Sequence, residues 1–372
     1  MSTDYDVIVY GASGYTGKLI VWHLAEANIP FVAAGRSQKR LEEQMAKIPE
    51  LEGALYRIEE VAHDEAALLE LFQGRKIVCN VVGPFMQYGE TVVRAALKAG
   101  CHYLDTTGEA DWMRYIRDKY GADFEKAGLL LSPANSYMWT AGALATEIAL
   151  ETPGIDSLDI LYLADSATSV ASTQSFLRMC TVPQYYLEHN ELVMWPYATA
   201  YSVMSPDSHR VFRALPWSGA GEAVWYEKDD RVSNCATLVA FRNEAMFGAV
   251  IGTLEEFENK HRHKPVEEHD EIKNQMAALL VSEEPERESP DENRSVISCI
   301  GRGNNIGVEV VLRGNSPYIQ TGVLAAEACR RILDGRLLAT GFQPSVKAFG
   351  ARALIAALAE HGTHTWEVKI TV

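Results

Sequence analysis

Two patterns alternate along the first third of this chain. Short apolar runs of strand length are separated by longer stretches whose apolar positions recur at helical spacing. The runs fall at residues 7–10, 31–34, 54–58, 76–82, 102–105 and 129–132. The helical stretches begin at residue 18 and recur to residue 45, over 65–72, over 91–99 and over 112–127. Strand and helix in strict alternation predict a parallel sheet covered on both faces. From residue 136 the pattern changes. A helix over 140–150 leads to strand-like segments at 157–164, 211–215, 222–226, 237–241, 296–300 and 308–313. These predict an antiparallel sheet with helices on one face. An apolar helix over 323–333, a helix over 345–360 and a terminal strand over 365–372 then return the chain to its first half.

The turn after the first run carries the candidate chemistry. Val7–Tyr10 breaks into Gly11-Ala-Ser-Gly-Tyr-Thr-Gly17 and then into a helix. Strand, glycine turn and helix form the frame of a dinucleotide fingerprint. Gly11 lets the chain turn off the strand, Gly14 lets the backbone approach a pyrophosphate, and Gly17 lets the helix pack close. The helix amides then face the anion. The expected architecture is therefore α/β, a Rossmann-type parallel sheet in residues 1–135 and 315–372. It is interrupted by an α+β lobe, residues 136–314, for substrate binding and dimerisation.

The end of the second strand selects the cofactor. An NAD site places a carboxylate there to hold the ribose 2′-hydroxyl. Gly35-Arg36-Ser37 stands there instead. Arg36 pairs with a 2′-phosphate and Ser37 donates to it, which points to NADP. Ser37 also reads as the N-cap of the next helix. Asp64 reads either as a contact to the adenine amino group or as a helix cap. The loop from Gly83 to Gly89 follows the fourth strand and should lie along the nicotinamide half, at the sheet edge that also carries Asn80, Glu109 and Asn135. Tyr115 and Lys119 match a Tyr-x-x-x-Lys pair. Their helix follows Thr107 too soon, however, to bring them back to the cofactor end.

Composition narrows the partners. The net charge of −16 over 372 residues argues against nucleic acid and anionic membranes. No apolar run reaches the length that spans a bilayer, and no signal peptide precedes the first strand. The six cysteines are scattered without C-x-x-C or metal-ligand spacing, so no metal is expected and the setting is the cytoplasm. The second lobe is rich in Trp, Tyr and Met, particularly between Tyr185 and Tyr201, which suggests an apolar pocket beside ordinary core and a dimer face. Its cations Arg178, Arg210, Arg213 and Arg242 are spread out, unlike a site for an amino diacid.

Four segments carry a resemblance. They are residues 7–17, Ala34-Gly-Arg-Ser37, residues 80–85 with Tyr88-Gly89, and His102-Tyr-Leu-Asp-Thr-Thr-Gly-Glu109. In that order the chain resembles the saccharopine dehydrogenase-like superfamily and, within it, the bacterial trans-acting enoyl reductases. The resemblance implies NADPH as cofactor. It carries cofactor contact to Gly11, Ser13, Gly14, Tyr15 and Thr16 in the first turn, to Arg36 and Ser37, and to Val82, Gly83 and Pro84. It fades after Asn135, where the family's Gly-Phe-Asp segment is replaced by Asn135-Ser-Tyr137. The first functional expectation is reduction of a polarised C=C bond in a small apolar substrate by a homodimer. Tyr88, Asn135 and Tyr137 are then the candidate donors to the enolate oxygen. The alternatives are reduction of an imine or carbonyl, as in saccharopine or opine chemistry, and a non-catalytic nucleotide-binding scaffold.

Overall fold

The apolar runs of the first third become strands because most are buried on both faces; the edge strand Tyr56–Glu60 is partly exposed. In chain order the elements are β1 (Val7–Tyr10), α1 (Tyr15–Glu26), β2 (Phe31–Gly35), α2 (Gln38–Met45), β3 (Tyr56–Glu60), α3 (Glu65–Phe72), β4 (Ile77–Asn80), α4 (Phe85–Ala99), β5 (His102–Asp105), α5 (Ala110–Lys126) and β6 (Leu130–Ser132). Every residue of β1, β2 and β4 is buried, as expected for a parallel sheet sandwiched by helices. The third strand lies two residues later than expected, at Tyr56–Glu60.

The middle of the chain forms α6 (Gly142–Ala149), β7 (Ser157–Asp165), α7 (Val170–Cys180), β8 (Tyr185–Glu188), β9 (Glu191–Met194), β10 (Tyr201–Met204), β11 (Val211–Leu215), α8 (Gly221–Tyr226), β12 (Asn234–Phe241), α9 (Glu244–Lys260), α10 (Val266–Leu280), β13 (Arg294–Arg302) and β14 (Gly307–Asn315). Then follow α11 (Pro317–Leu333), β15 (Gly341–Phe342), α12 (Ser345–Phe349), α13 (Ala351–Glu360) and β16 (His364–Thr371). This computed structural model describes residues 5–371.

The chain divides into two units. The first holds residues up to Thr107, Trp112–Thr140 and Tyr318–His361, and the second Gly108–Asp111, Ala141–Pro317 and the residues from Gly362 on. In the first unit the sheet order is β15-β6-β5-β4-β1-β2-β3. All its pairings are parallel, so the carboxyl ends of β1 to β6 share one edge. In the second unit the order is β10-β11-β12-β7-β13-β14-β16, with the β8–β9 hairpin attached to β12.

Three expectations need correction. The second sheet is mixed, because β12 runs parallel to β7 over eight residues. Residues 222–226 are helical, in α8; a five-residue apolar run does not distinguish helix from strand. The terminal strand does not return to the nucleotide-binding half. β16 pairs antiparallel with β14 of the second sheet.

The second unit buries a carboxyl group among hydroxyl donors. Glu222 is fully buried in α8. It accepts from Tyr162 Oη at 2.7 Å, and Thr237 Oγ1 lies 3.5 Å from its other oxygen. Tyr162 in turn accepts from Gly142 N at 2.7 Å. Burial pushes the Glu222 carboxyl up to about 8, against the pull of these donors. A raised acid keeps its proton in the folded state while the unfolded chain loses it. Its stabilisation is present below the ordinary carboxyl range and is lost as pH rises toward 8. Urea midpoints should therefore fall between pH 5 and pH 8. Glu222→Gln, which keeps shape and hydrogen-bonding capacity, should remove much of that fall; an unchanged pH slope would assign it to other groups.

Candidate functional site

The glycine turn meets the loop after β4 at the carboxyl edge of the first sheet. Gly11 has φ +95°, and a Cβ there would lie 2.9 Å from Val82 Cγ2. At Gly17 a Cβ would lie 2.4 Å from Gly11 O and 2.8 Å from Ala12 Cα. Both positions exclude any larger residue, and helix α1 consequently starts tight against β1. Its N-cap is Gly14, no side chain caps it, and its first turn carries no acidic residue. An N-terminus left this way suits a pyrophosphate. Ser13 and Thr16 flank it, half-buried, and Tyr15 packs edge-on against Tyr318 of α11 at 4.8 Å. Across the turn, Val82 N donates to Asn80 Oδ1 at 3.1 Å, and Gly83–Pro84 is a cis peptide.

At the end of β2, Arg36 is exposed, and among the described residues no carboxylate pairs with it. Ser37 caps α2, accepting from Arg40 N at 3.3 Å. Glu60 instead takes the Gln38 amide at 2.7 Å. This arrangement fits a 2′-phosphate, which the unpaired guanidinium would bind. Asp64 caps α3 through Ala67 N at 3.0 Å, so capping is the role the geometry gives it.

His63, just before that cap, was not singled out by sequence reasoning. Its Nδ1 is 2.8 Å from Tyr10 Oη, its ring stacks on Tyr10, and Tyr88 meets it edge-on at 5.6 Å. Burial and the nearby Arg36 lower the His63 pKa, and burial raises Tyr10 to about 12, so both stay neutral at pH 7. A neutral aromatic cluster beside an arginine offers flat surface on which a purine could stack. The signal in the sequence was a histidine three residues beyond the edge strand β3. Tyr88, 40 % exposed, belongs to this cluster.

Asn135 and Tyr137 lie beyond β6. Asn135 is buried, with its Oδ1 accepting from Ser345 Oγ at 2.8 Å and its main-chain N donating to Asp105 O at 2.7 Å. Its Nδ2 is buried and has no partner. Tyr137 is buried, and its main-chain N donates to Thr321 Oγ1 at 3.0 Å. The structure thus groups Tyr88 with His63, and Asn135 with Ser345 and Asp105.

Asp105 ties this edge together. Its carboxylate accepts from Trp112 Nε1 at 2.9 Å, Tyr103 Oη at 3.0 Å, Thr107 N at 3.0 Å and Ala134 N at 2.9 Å. Tyr103 Oη also accepts from Asn80 Nδ2 at 3.0 Å. Burial raises Asp105 to about 6 while these donors hold it down, leaving it ionised at pH 7. Glu109 is not available to a ligand. It is fully buried and accepts from Ser175 Oγ at 2.9 Å and Arg178 Nε at 2.9 Å. Lys119 does reach Tyr115 Oη at 2.6 Å, but it also bonds Glu90 at 2.6 Å in an exposed clamp between α4 and α5. Among the described residues no three His, Cys, Asp or Glu side chains converge on a metal position.

The second unit contains a cavity of about 400 Å³. Its walls include Pro183, Met194, Trp195, Tyr197, Leu215 and Leu254. Trp195 Nε1 is buried there without a partner. Arg262, at its edge, donates to Thr181 O at 2.7 Å and to Glu258 at 2.8 Å.

Known proteins resemble the two halves differently. Residues 7–130 match the saccharopine dehydrogenase NADP binding domain. Residues 140–371 match a family of unknown function, DUF5938. A lipid droplet localized protein of Caenorhabditis elegans is 36 % identical over 139 residues, 35 % of this chain and 32 % of that one. A trans-acting enoyl reductase of Mycobacterium ulcerans (strain Agy99) is 34 % identical over 119 residues, 32 % of this chain and 28 % of that one. A saccharopine dehydrogenase-like oxidoreductase of Mus musculus is 26 % identical over 205 residues, 50 % of this chain and 44 % of that one. The chain thus spans less than half the length of each of these curated relatives. In fold it is similar throughout to apo saccharopine dehydrogenase (L-Glu forming) from Saccharomyces cerevisiae, with TM-score 0.62, 14 % identity, and coverage of 99 % of this chain and 100 % of that one.

Two outcomes follow from the site. Arg36→Ala should weaken NADPH roughly 10- to 100-fold, the worth of a charge-assisted contact, and leave NADH nearly unchanged. Calorimetric titration of both cofactors checks this, and equal losses would show that Arg36 does not read the 2′-phosphate. Asp105→Asn turns an amide NH₂ toward donors and should cost about 2–4 kcal/mol in urea unfolding; a loss below 1 kcal/mol would refute the hub.

Proposed function

This chain belongs to the DUF5938 family and, through its first half, to the saccharopine dehydrogenase-like NADP-binding oxidoreductases, and we propose that it reduces a polarised C=C bond in an apolar enone or enoyl substrate. The observation that carries the reading is the apolar, aromatic-walled cavity, whose lining Arg262 is held by Glu258, in a unit where several other arginines are also paired. Arg178 is held by Glu109 and Asp111, Arg242 by Asp207, Arg231 by Asp229 and Glu147, and Arg302 by Asp159. A saccharopine-like substrate needs several convergent cations for its carboxylates. The relative named as localised to lipid droplets and the relatives named as enoyl reductases support an apolar substrate in the same direction.

NADPH, when bound, supplies the hydride that adds to the β-carbon. The chain's own part is to hold the substrate and to stabilise negative charge on the carbonyl oxygen as it becomes an enolate oxygen. Asn135 suits that part best of the three candidates. Its orientation is locked through Oδ1 and its Nδ2 donor is unspent. A buried donor aimed at developing charge stabilises the transition state more than the ground state. Tyr88, packed on His63, suits the nucleoside of the cofactor instead. Tyr137 remains the second candidate donor to the enolate oxygen. The reading sets the protein in a reducing compartment, the cytoplasm, consistent with six free buried thiols, and among the described residues no helix is long and apolar enough to cross a membrane. It takes the active form to be a homodimer.

NADPH oxidation against apolar enones, ketones and imines formed from 2-oxo acids tests the reading. Enones should be turned over with at least tenfold higher kcat/KM. Trp195→Ala should raise KM for the enone without changing NADPH affinity, and Asn135→Ala should lower kcat by about 10²-fold. Preference for the imines, or an Asn135→Ala enzyme with normal kcat, would overturn it.

A further inference from the structure

The last strand of the second sheet has a free edge and a self-complementary order of side chains. β16 pairs with β14 from His364 to Thr371, and among the described residues no strand lies on its other side. Asn315 N donates to Thr363 O at 3.1 Å, directly beyond the paired stretch and in the same register. Hydrogen-bonded and non-hydrogen-bonded pairs alternate in an antiparallel ladder. Thr365, Glu367 and Lys369 therefore direct their main-chain N–H and C=O groups toward β14, and Trp366, Val368 and Ile370 direct theirs outward. These three also share a sheet face with Leu312, Val310 and Val308, their buried partners on β14. They themselves are 38 %, 41 % and 56 % exposed. An uncovered edge with apolar side chains and outward hydrogen-bonding groups is a template for another strand.

We propose that β16 pairs antiparallel with β16 of a second copy about a two-fold axis at Val368, joining two sheets into one. The inference rests on the homodimer reading and locates its interface. Charge selects the register. An axis at Glu367 would set Glu367 against the partner's Glu367, and an axis at Lys369 would set two lysines face to face; like charges directly opposite are destabilising. The axis at Val368 puts Glu367 opposite the partner's Lys369 on both sides of the two-fold. It also puts Trp366 opposite the partner's Ile370, and Val368 against the partner's Val368. Each copy then uses the outward groups of Trp366, Val368 and Ile370, the closed isologous contact that two-fold symmetry requires. The chain's net charge of −16 opposes association elsewhere, whereas this strip carries one charge of each sign in the middle of the contact.

Cysteine cross-linking of the full chain tests the register. Facing residues of a hydrogen-bonded pair lie about 5.5 Å apart at Cα, within the roughly 4.4–6.8 Å that a disulfide spans. All six native cysteines are buried, so an introduced thiol on this edge is the reactive one. Under mild oxidation Val368→Cys should give a covalent dimer, as should Trp366→Cys combined with Ile370→Cys, while Glu367→Cys should not. In sedimentation equilibrium Lys369→Glu should raise the dimer dissociation constant at least tenfold, and adding Glu367→Lys to the same chain should restore it. A wild-type dimer that Val368→Cys fails to cross-link, or whose charge swap gives no rescue, overturns this interface and leaves the homodimer reading standing. A wild type that stays monomeric at high micromolar concentration overturns both.

Discussion

A buried carboxylate with four donors organises the ligand-binding edge of the first unit. Asp105 ends β5, and its side chain gathers the indole of α5, the phenol of its own strand and the amides of the segments that follow β5 and β6. Its main-chain oxygen takes the amide of Asn135, and Tyr103 passes the network on to Asn80 at the end of β4. A lone charge in such a place would be expensive to desolvate. Supplied with donors from every side, it becomes a clamp that permits one arrangement of three strand ends. The loops that approach the cofactor and the proposed substrate donor start from those ends, so their precision derives from a residue that touches neither.

The parts of the fold that were legible in the sequence are those encoded locally. The run His102–Asp105 is a strand at those limits because a short segment centred on buried Tyr103 and Leu104 follows Gly100-Cys101 and precedes a polar loop. The glycine turn was legible because Gly11 and Gly17 each answer a steric demand a few residues away. What failed depends on distant partners. Alternation showed that residues 365–371 form a strand but could not say that β14 was the neighbour. Glu109 read as a polar residue on a loop, because Arg178, which takes it out of solvent, comes 69 residues later. The same holds for the platform of Tyr10, His63 and Tyr88, three residues from three separate segments.

The two halves express different degrees of generality. The first carries a widely used nucleotide device whose requirements are geometric: a turn without Cβ atoms, an uncapped helix end, and a cation where another branch would place an acid. The second holds several arginines in internal pairs and the buried acid Glu222 against a tyrosine. Neither feature specifies a reaction. Together they leave its cavity lined largely by aromatic and aliphatic side chains.

The interleaving of the units also constrains their birth. β15, the edge of the first sheet, pairs with β6, and Cys329 of α11 packs 3.5 Å from Cys79 of β4 across 250 residues. A ribosome must therefore finish the whole intervening lobe before the nucleotide fold receives its closing pieces. The lobe in turn waits for β16, which is translated after those pieces. The first unit therefore receives its last pieces before the second does. The nascent chain carries two unfinished sheets until β15 is made, and an unfinished second sheet until β16 follows, which makes that interval the one of greatest exposure to misassembly and to chaperones.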